Sequence, residues 1–578
     1  MAKEFFYQIV VDSKTFGADI FTYKSKIDLP ERILVKVDFR GRKLLGFILK
    51  KLKRPNFPAQ KIKAIEKVID FAQLLDERRV KLAKIAADHY LTSLGKMIFW
   101  ALPEIALRSV AKEPKENKIA KLITKNSKPI FYQTDVFKRF EFYKKLIKKE
   151  IKKKRQVLFL APNLNHWMIK DLSNLFKPVV FASNLSRKKE YLLWREVLTG
   201  RIDLVIGSQK AIFTPLNRLN LIIVEDAGNP NYKQEQDPRI DLRFLAKNLA
   251  KVTRAKLIFS GLVPDPLTYL EIKKKKFILK KDFKKSQISL VDLFKQNKLI
   301  GFETEEIIKT ALKKRKKIIF FYNRLGFSQL SLCSDCGFFD FQKGGIPLAF
   351  CPRCRGVKIK THSFGLERLA YDFKKIFPRT DIALLFKSSQ DQPKKLNIAS
   401  SFAFRFNPPS LPTSRKLRWP RKLRRARQKF DLSVLGLAEI GLSLPDPYIA
   451  YKILHFGFEA LSLGKKAIIQ TFIPDHYLVK AFHNLDFEIF YQNWLKIRKK
   501  FHLAPDFKEI KIFALPQNKL DQFYKKLQEF KEIPASYKLA DLEKQYILIT
   551  LPQNRSISLA LKKFLEKSRA EIDVDPID

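Results

Sequence analysis

From Arg155 onward the chain repeats one pattern, a short, wholly apolar run followed by a polar or helical stretch. RQVLFLAPN, KPVVFASN, IDLVIGS, LNLIIVEDAG and AKLIFSG are runs of this kind. A strand that is apolar at every position must be covered on both faces, as in a parallel sheet flanked by helices. The alternation of such runs with helical stretches predicts an α/β unit. A second series runs from KKIIFFYNR through LSVLGLAEI to KAIIQTFIPD. Residues 1 to about 70 read differently, as short strands with Lys and Arg at alternate positions, for example ILVKVDFRGRKLLGFIL. From Glu77 to about Leu102 the period turns helical and places Leu82, Ile85, Ala86 and Tyr90 on one face. A polar, Lys-rich linker, KEPKENKIAKLITKNSK, follows it. The tail from about Glu509 (IKIFALPQN, QYILITLPQN, LALKKFLEK) predicts a small α+β unit, and no internal repeat is found.

Length and charge sharpen this picture. A chain of 578 residues is expected to hold several domains with substantial cores. Its longest apolar runs are too short to cross a bilayer, which with reduced thiols points to the cytosol. Lys and Arg number 114 against 58 Asp and Glu, a net charge of +56. An AT-rich genome enriches Lys, but it enriches Glu and Asp too and leaves a twofold imbalance unexplained. A polyanion partner accounts for it, nucleic acid first. An acidic membrane surface fits less well, because no basic helix carries a clear apolar face.

All four cysteines fall in one stretch, LCSDCGFFDFQKGGIPLAFCPRCRG. Cys333, Cys336, Cys351 and Cys354 form two CxxC pairs, each followed by small turn residues. Two such knuckles complete a tetrahedral Cys₄ shell around zinc, with a gap at the short edge of the zinc-ribbon range. Disulfides would need an oxidising compartment and a denser cysteine framework, and a redox CxxC would leave the second pair unexplained. Four thiolates complete the shell by themselves, so the zinc, one ion per chain, is expected to be structural.

Two α/β units in series are the layout of a helicase motor, and here the strings become specific. RIDLVIGSQKAIFTPLNRLNLIIVEDAGNPNYKQEQDPRIDLRFLA supplies Tyr232, Lys233, Gln234, Glu235, Arg239 and Arg243 in a YKQE…PR…R pattern. FYNRLGFSQLSLCSDCG, FGLERL, GLSLPDP, IIQTFIPDH and a DVDPID ending follow in order. At the start stand FTY, VDFRGRKLLGFI, KIKAIEKVID and IAADHYLTSLGKMIFWALP. These segments resemble the primosomal protein N′ family of bacterial replication-restart helicases over nearly the whole chain. The resemblance implies a multidomain α/β fold: a β-rich N-terminal domain binding the 3′ end of a nascent strand (1–105), a linker in place of a deleted winged helix (106–127), RecA-like lobe 1 (128–285), lobe 2 (286–331 and 361–480) interrupted by a zinc ribbon (332–360), and a small α+β C-terminal domain (481–578). The family carries four cysteine pairs and two zinc ions. The two pairs kept here match its first and last, so the inner site is expected to be missing.

The motor motifs depart from the family pattern. Where a GxTGSGKTE phosphate loop belongs, Ile130 to Tyr143 reads IFYQTDVFKRFEFY, with no glycine to let backbone amides close on a phosphate and no Lys-Thr pair. Lys138 and Arg139 are the nearest basic residues, and their Phe and Val neighbours suggest ordinary packing. The DEEH box reads Glu225-Asp226-Ala227-Gly228, a degenerate ATP site. The GSATPS coupling motif has become SGLVPDP, the GTQM segment is replaced, and FGFEALSLG holds no arginine where the family has its finger. Losing that finger alone costs orders of magnitude in hydrolysis. The expectation is a helicase fold without ATP binding or hydrolysis and without catalytic residues. A working ATP-dependent 3′-5′ helicase and a general nucleic-acid scaffold stand as alternatives.

The resemblance also implies DNA contacts. Phe21, Thr22, Tyr23, Phe39, Arg40, Gly41 and Lys63 occupy the positions with which the family holds a 3′-terminal nucleotide, with Thr22 in place of an aspartate and Arg40 in place of a glycine. The run from Arg415 to Lys429 adds Arg418, Arg421, Arg424 and Arg425 around Trp419, an aromatic able to stack on a base. DNA forks, 3′ ends and single strands are the expected partners, with replication or primosome proteins recruited in a bacterial, nucleoid-associated setting.

Overall fold

The computed structural model describes the chain apart from residues 1–3, 14–19, 56, 104–126, 183, 284–285, 297, 323–327, 337, 344–348, 365, 387–390, 401–403, 405–428, 443–447, 514–516, 541–544, 554–556, 568–570 and 576–578. The Lys-rich linker up to Asn126 and the basic run up to Gln428, with Arg418, Trp419, Arg421, Arg424 and Arg425, lie outside the described residues.

The alternating N-terminal segment forms a five-stranded antiparallel sheet, ordered Phe21–Ser25, Phe5–Val11, Arg42–Leu52, Leu34–Phe39, Ile65–Asp70. One face buries Tyr7, Ile9, Val35, Val37 and Ile48 among themselves. The other gives Val10, Leu34 and Phe47 to a core shared with two helices and with the next unit. The helical stretch from Glu77 is broken. Glu77–His89 ends before Leu91, whose φ is +52°, and Ser93 caps a second helix, Leu94–Ala101, by accepting from the Lys96 amide. Periodicity alone ran through this break because apolar residues continue on both sides of it.

The first series of apolar runs builds a seven-stranded sheet: Ile278–Lys281, Ile130–Gln133, Lys256–Gly261, Leu219–Val224, Gln156–Leu160, Leu204–Gly207 and Val179–Phe181, with every neighbouring pair parallel. All six residues of Leu219–Val224 are buried, as a central strand covered on both faces requires. The second series builds a six-stranded parallel sheet, Gln287–Asp292, Gly464–Thr471, Phe430–Leu435, Ile318–Phe321, Leu396–Ala399 and Ile382–Leu385. These are the two RecA-like lobes. A three-stranded antiparallel ribbon (Phe339–Lys343, Ser328–Cys333, Ile359–Phe364) projects from the second, and a four-stranded antiparallel sheet (Ala535–Ala540, Gln545–Pro552, Phe507–Phe513, Glu571–Val574) closes the chain.

The units are packed firmly on one another. Trp194 of the first lobe is fully buried against the N-terminal unit and donates its indole N–H to Leu74 O at 2.9 Å. Buried Arg79 reaches the other way, to Leu216 O at 3.2 Å. Leu262, Val263 and Tyr269 leave the first lobe to join the second lobe's core beside Tyr451, Phe487 and Tyr491. The helix Phe487–Lys500 thus packs with the second lobe.

Candidate functional site

The cleft between the lobes is where the sequence placed the degenerate ATP site. The strand Ile130–Gln133 passes into the helix Val136–Lys152 through Thr134 and Asp135 alone. A helix N-terminus at the end of a parallel strand is an anion site, because free amides and the helix dipole both point at it. Here the Asp135 carboxylate occupies that position. It accepts from the amides of Phe137 (3.0 Å) and Lys138 (3.1 Å) and forms an ion pair with Lys429 at 3.2 Å.

One turn into that helix, Arg139 is buried, contrary to the expectation of ordinary packing. Its Nε lies 3.0 Å from Glu225 Oε1, and its Nη1 lies 2.9 Å from Thr134 O and 3.4 Å from Glu459 Oε1. Tyr143, a further turn on, donates its hydroxyl to the other Glu225 oxygen and meets Ser260 Oγ. The second carboxylate, Asp226, pairs with His455 Nε2 at 2.9 Å and accepts from Asn229 Nδ2 at 2.9 Å. Both carboxylates of the box are therefore consumed by side chains. Glu225 comes from the first lobe and is paired within it; Asp226 is paired across the cleft, as Arg139 is through Glu459.

The charge states follow from this packing. Burial raises Glu225 against the pull of Arg139. Burial works against Asp226 as well, but His455, with Arg139 and Asn229, outweighs it and holds the carboxyl well below its usual range. His455 is displaced upward in turn, because Asp226 overcomes the cost of burying its charge. Burial pushes Glu459 up to about 7. Sequence reasoning passed over Asp135, His455 and Glu459, and assigned Arg139 to ordinary packing. Asp135 left a signal, as an N-cap residue just before an apolar-periodic run. The other three left none, since their partners are distant in the chain.

The remaining family-signature residues have structural roles. Tyr232 donates to Leu160 O (3.0 Å) and Glu225 O (2.5 Å), fixing the carboxylate loop. Buried Lys233 pairs with Asp573 at 2.7 Å, and Arg239 with Glu571 at 3.0 Å, so the YKQE segment holds the last strand of the chain.

The four cysteines converge. Cys333 Sγ and Cys354 Sγ are 3.6 Å apart, Cys336 Sγ and Cys351 Sγ are also 3.6 Å apart, and all four sulfurs lie within 4.8 Å of one another. A tetrahedral zinc with Zn–S near 2.3 Å needs sulfurs about 3.8 Å apart, so the donor set fits the ion. Each knuckle closes by a backbone bond, Cys333 N to Phe338 O and Cys351 N to Gly356 O, both 2.8 Å.

At the N-terminal sheet, the predicted 3′-end residues come together at one end. Arg40 and Gly41 form a two-residue hairpin loop with φ of +52° and +78°, the left-handed pair that a type I′ turn requires. Phe39 packs on Phe21 with ring centroids 4.8 Å apart, and the Arg40 guanidinium lies 5.3 Å from the Phe39 ring centre. Tyr23 donates to Asp38 O at 2.9 Å. The Lys24 amide donates to Lys63 O at 3.0 Å, which brings Lys63 beside the Phe21–Tyr23 strand, where Thr22 sits between them in sequence. Asp38 organises the cluster, accepting from Lys63 Nζ at 2.7 Å and from the Gly41 amide at 3.0 Å; these two bonds hold its carboxyl below the usual range.

Residues 8–103 match the family model described as the 3′DNA-binding domain (3′BD) of PriA. The chain is 26% identical to the replication restart protein PriA of Borreliella burgdorferi, over 98% of this chain and 96% of that protein. It is 22% identical to that of Rickettsia typhi over 98% of both, and 22% identical to that of Bacillus subtilis over 75% of this chain and 60% of the relative.

Proposed function

The chain belongs to the replication restart protein PriA (primosomal protein N′) family, and from that premise we propose that it is a DNA-binding restart factor that does not hydrolyse ATP. DNA binding follows from the family and agrees with the net charge of +56. On this reading the 3′ end of a strand is held at the hairpin end of the N-terminal sheet, by backbone groups around Phe21, Thr22, Tyr23, Phe39 and Gly41 with Arg40 and Lys63 toward phosphate. The basic run with Arg418, Trp419, Arg421, Arg424 and Arg425 adds contacts along the strand. A zinc ion held by Cys333, Cys336, Cys351 and Cys354 closes the ribbon. Replication proteins are its partners at the fork, in the bacterial cytoplasm.

One observation carries the loss of ATP chemistry. The anion position at the helix N-terminus is filled by Asp135, and the carboxylates that would hold Mg²⁺ are bound to Arg139 and His455. A triphosphate entering here would meet a carboxylate in place of a ring of amides and a lysine, and its metal would have to displace Arg139 and His455 from the two carboxylates. The test is ATP hydrolysis with and without forked DNA, beside direct nucleotide binding. The expected result is turnover at background and no measurable affinity. Fork-stimulated hydrolysis that is abolished by Glu225→Gln would overturn the proposal in favour of an active helicase.

A further inference from the structure

The pairs that fill the cleft also join the lobes. Arg139 belongs to the first lobe and Glu459 to the second; Asp226 belongs to the first and His455 to the second. His455 and Glu459 sit one turn apart on the helix Ile449–Ser462, whose residues from Ile453 to Ser462 are all buried. Tyr451, on the same helix, donates its hydroxyl across the cleft to Gly228 O. Gly228 has no room for a side chain, since a Cβ there would lie 2.1 Å from Val263 O and 3.2 Å from His455 Cδ2. Beside them Tyr491 donates to Pro264 O at 2.6 Å, and its ring stacks on Tyr269 with centroids 4.1 Å apart. Tyr269 in turn donates to Glu488 of the second lobe at 2.7 Å.

Two-lobed motors close around a ligand and open when it leaves, because the ligand supplies the bonds that differ between the states. Here the groups that bond across the cleft belong to the chain itself, so no ligand need arrive to supply them. We propose that the two lobes are latched shut by the protein's own side chains, Arg139–Glu459 and Asp226–His455 with Tyr451 and Tyr491 as flanking bolts, and that they form one static body. The latch rests on the reading of the cleft as nucleotide-free, and it goes further: a merely inactive ATPase could still open and close. Opening would expose Arg139 and His455 partners singly to water and break apolar contacts of Leu262, Val263 and Tyr269 in the same step. A latched pair of lobes presents DNA with one fixed geometry, so restart by this protein depends on recognition and recruitment, with no stroke.

The test uses the full chain with neither nucleotide nor DNA, so its failure leaves the reading of the function standing. Hydrogen exchange is followed in Ile449–Ser462 and in the Glu225–Asn229 loop, with small-angle scattering on the same samples. Wild type should show exchange in both segments as slow as in the central strand Leu219–Val224, and scattering that fits a single closed shape. Arg139→Met leaves Glu225 and Glu459 buried without their cation, and should speed exchange in both segments on the order of a hundredfold while the radius of gyration rises. Rapid exchange in the wild type, or an open ensemble in its scattering, would overturn the latch, as would an Arg139→Met variant that exchanges like wild type. Should that variant not fold, Tyr451→Phe removes one bond across the cleft and buries no charge. Its exchange should rise roughly five- to tenfold, and unchanged exchange would count against the proposal.

Discussion

Glu459 should make the stability of the lobe interface depend on pH, in a direction opposite to that of most carboxylates. Its carboxyl faces Arg139 from the helix Val136–Lys152, Glu225 and Asp226 from the end of the strand Leu219–Val224, and His455 from its own helix. Burial raises it from 4.5 to about 7. The native state thus holds this proton more tightly than the unfolded chain, and stability is full below pH 4.5 and falls as pH rises to about 7. His455 is raised as well, so its contribution is full below about 6.5 and is lost as pH passes its folded value. Both groups therefore weaken the interface as the solution becomes more basic. At 1.36 kcal/mol per pH unit the rise of Glu459 is worth about 3 kcal/mol across its window, part of it shared with its charged neighbours. Glu459→Gln keeps an acceptor for Arg139 and cannot titrate. Because a chain of several domains need not unfold in two states, scanning calorimetry of both proteins from pH 4.5 to 8 is read on the transition that Glu459→Gln shifts. Wild type should lose about 2–3 kcal/mol relative to the variant between pH 4.5 and 7, and nothing further above that. Parallel profiles through this window would refute the argument, because they would mean that Glu459 keeps an ordinary carboxyl in the folded chain.

Metal analysis should find one zinc per chain, and Cys351→Ser with Cys354→Ser should lose it together with the ribbon; a folded, metal-free wild type would contradict this. Gly228→Ala must move the Val263 carbonyl or His455 and should cost about 1–3 kcal/mol or more in denaturant unfolding, with an effect below 0.5 kcal/mol counting against the packing described. The logarithm of the DNA-binding constant should fall with the logarithm of salt concentration at about −0.9 per duplex phosphate contacted, and a flat response would assign the +56 charge to another role. Lys63→Ala should weaken binding to forks that present a 3′-hydroxyl end more than to forks whose end is blocked by a 3′-phosphate; equal losses would place Lys63 away from the strand end.

The frame of the fold was legible because buried parallel strands carry their signal locally. Gln156–Leu160, Leu204–Gly207, Leu219–Val224 and Lys256–Gly261 are apolar at nearly every position, since both faces are covered. Edge strands escape the same test. Ile278–Lys281 and Gln287–Asp292 each pair on one side only, their side chains are mostly exposed, and ILKK or QISLVD reads as a loop. The cysteine cluster was legible for a different reason, since two knuckles define their own geometry within a few residues.

The cleft shows the opposite limit. Its missing glycines and missing finger were readable as absences, because a phosphate loop is a local motif with fixed spacing. What took their place was not readable. Arg139 meets a carboxylate 86 positions away and another 320 positions away, and His455 meets one 229 positions away. Each of the three residues in isolation is an unremarkable charge in a helix of mixed pattern. Only the fold makes a set of them, and in it the basic side chains Arg139 and His455 face Glu225, Asp226 and Glu459, the last able to keep its proton up to a pH of about 7. That balance is a condition for burial, because an unpaired charge at this depth would cost several kcal/mol. Across the cleft, Asp226 meets His455 and Glu459 meets Arg139, while Glu225 holds Arg139 from within its own lobe; replacing Asp226 by alanine would strand the buried His455 and loosen the lobes.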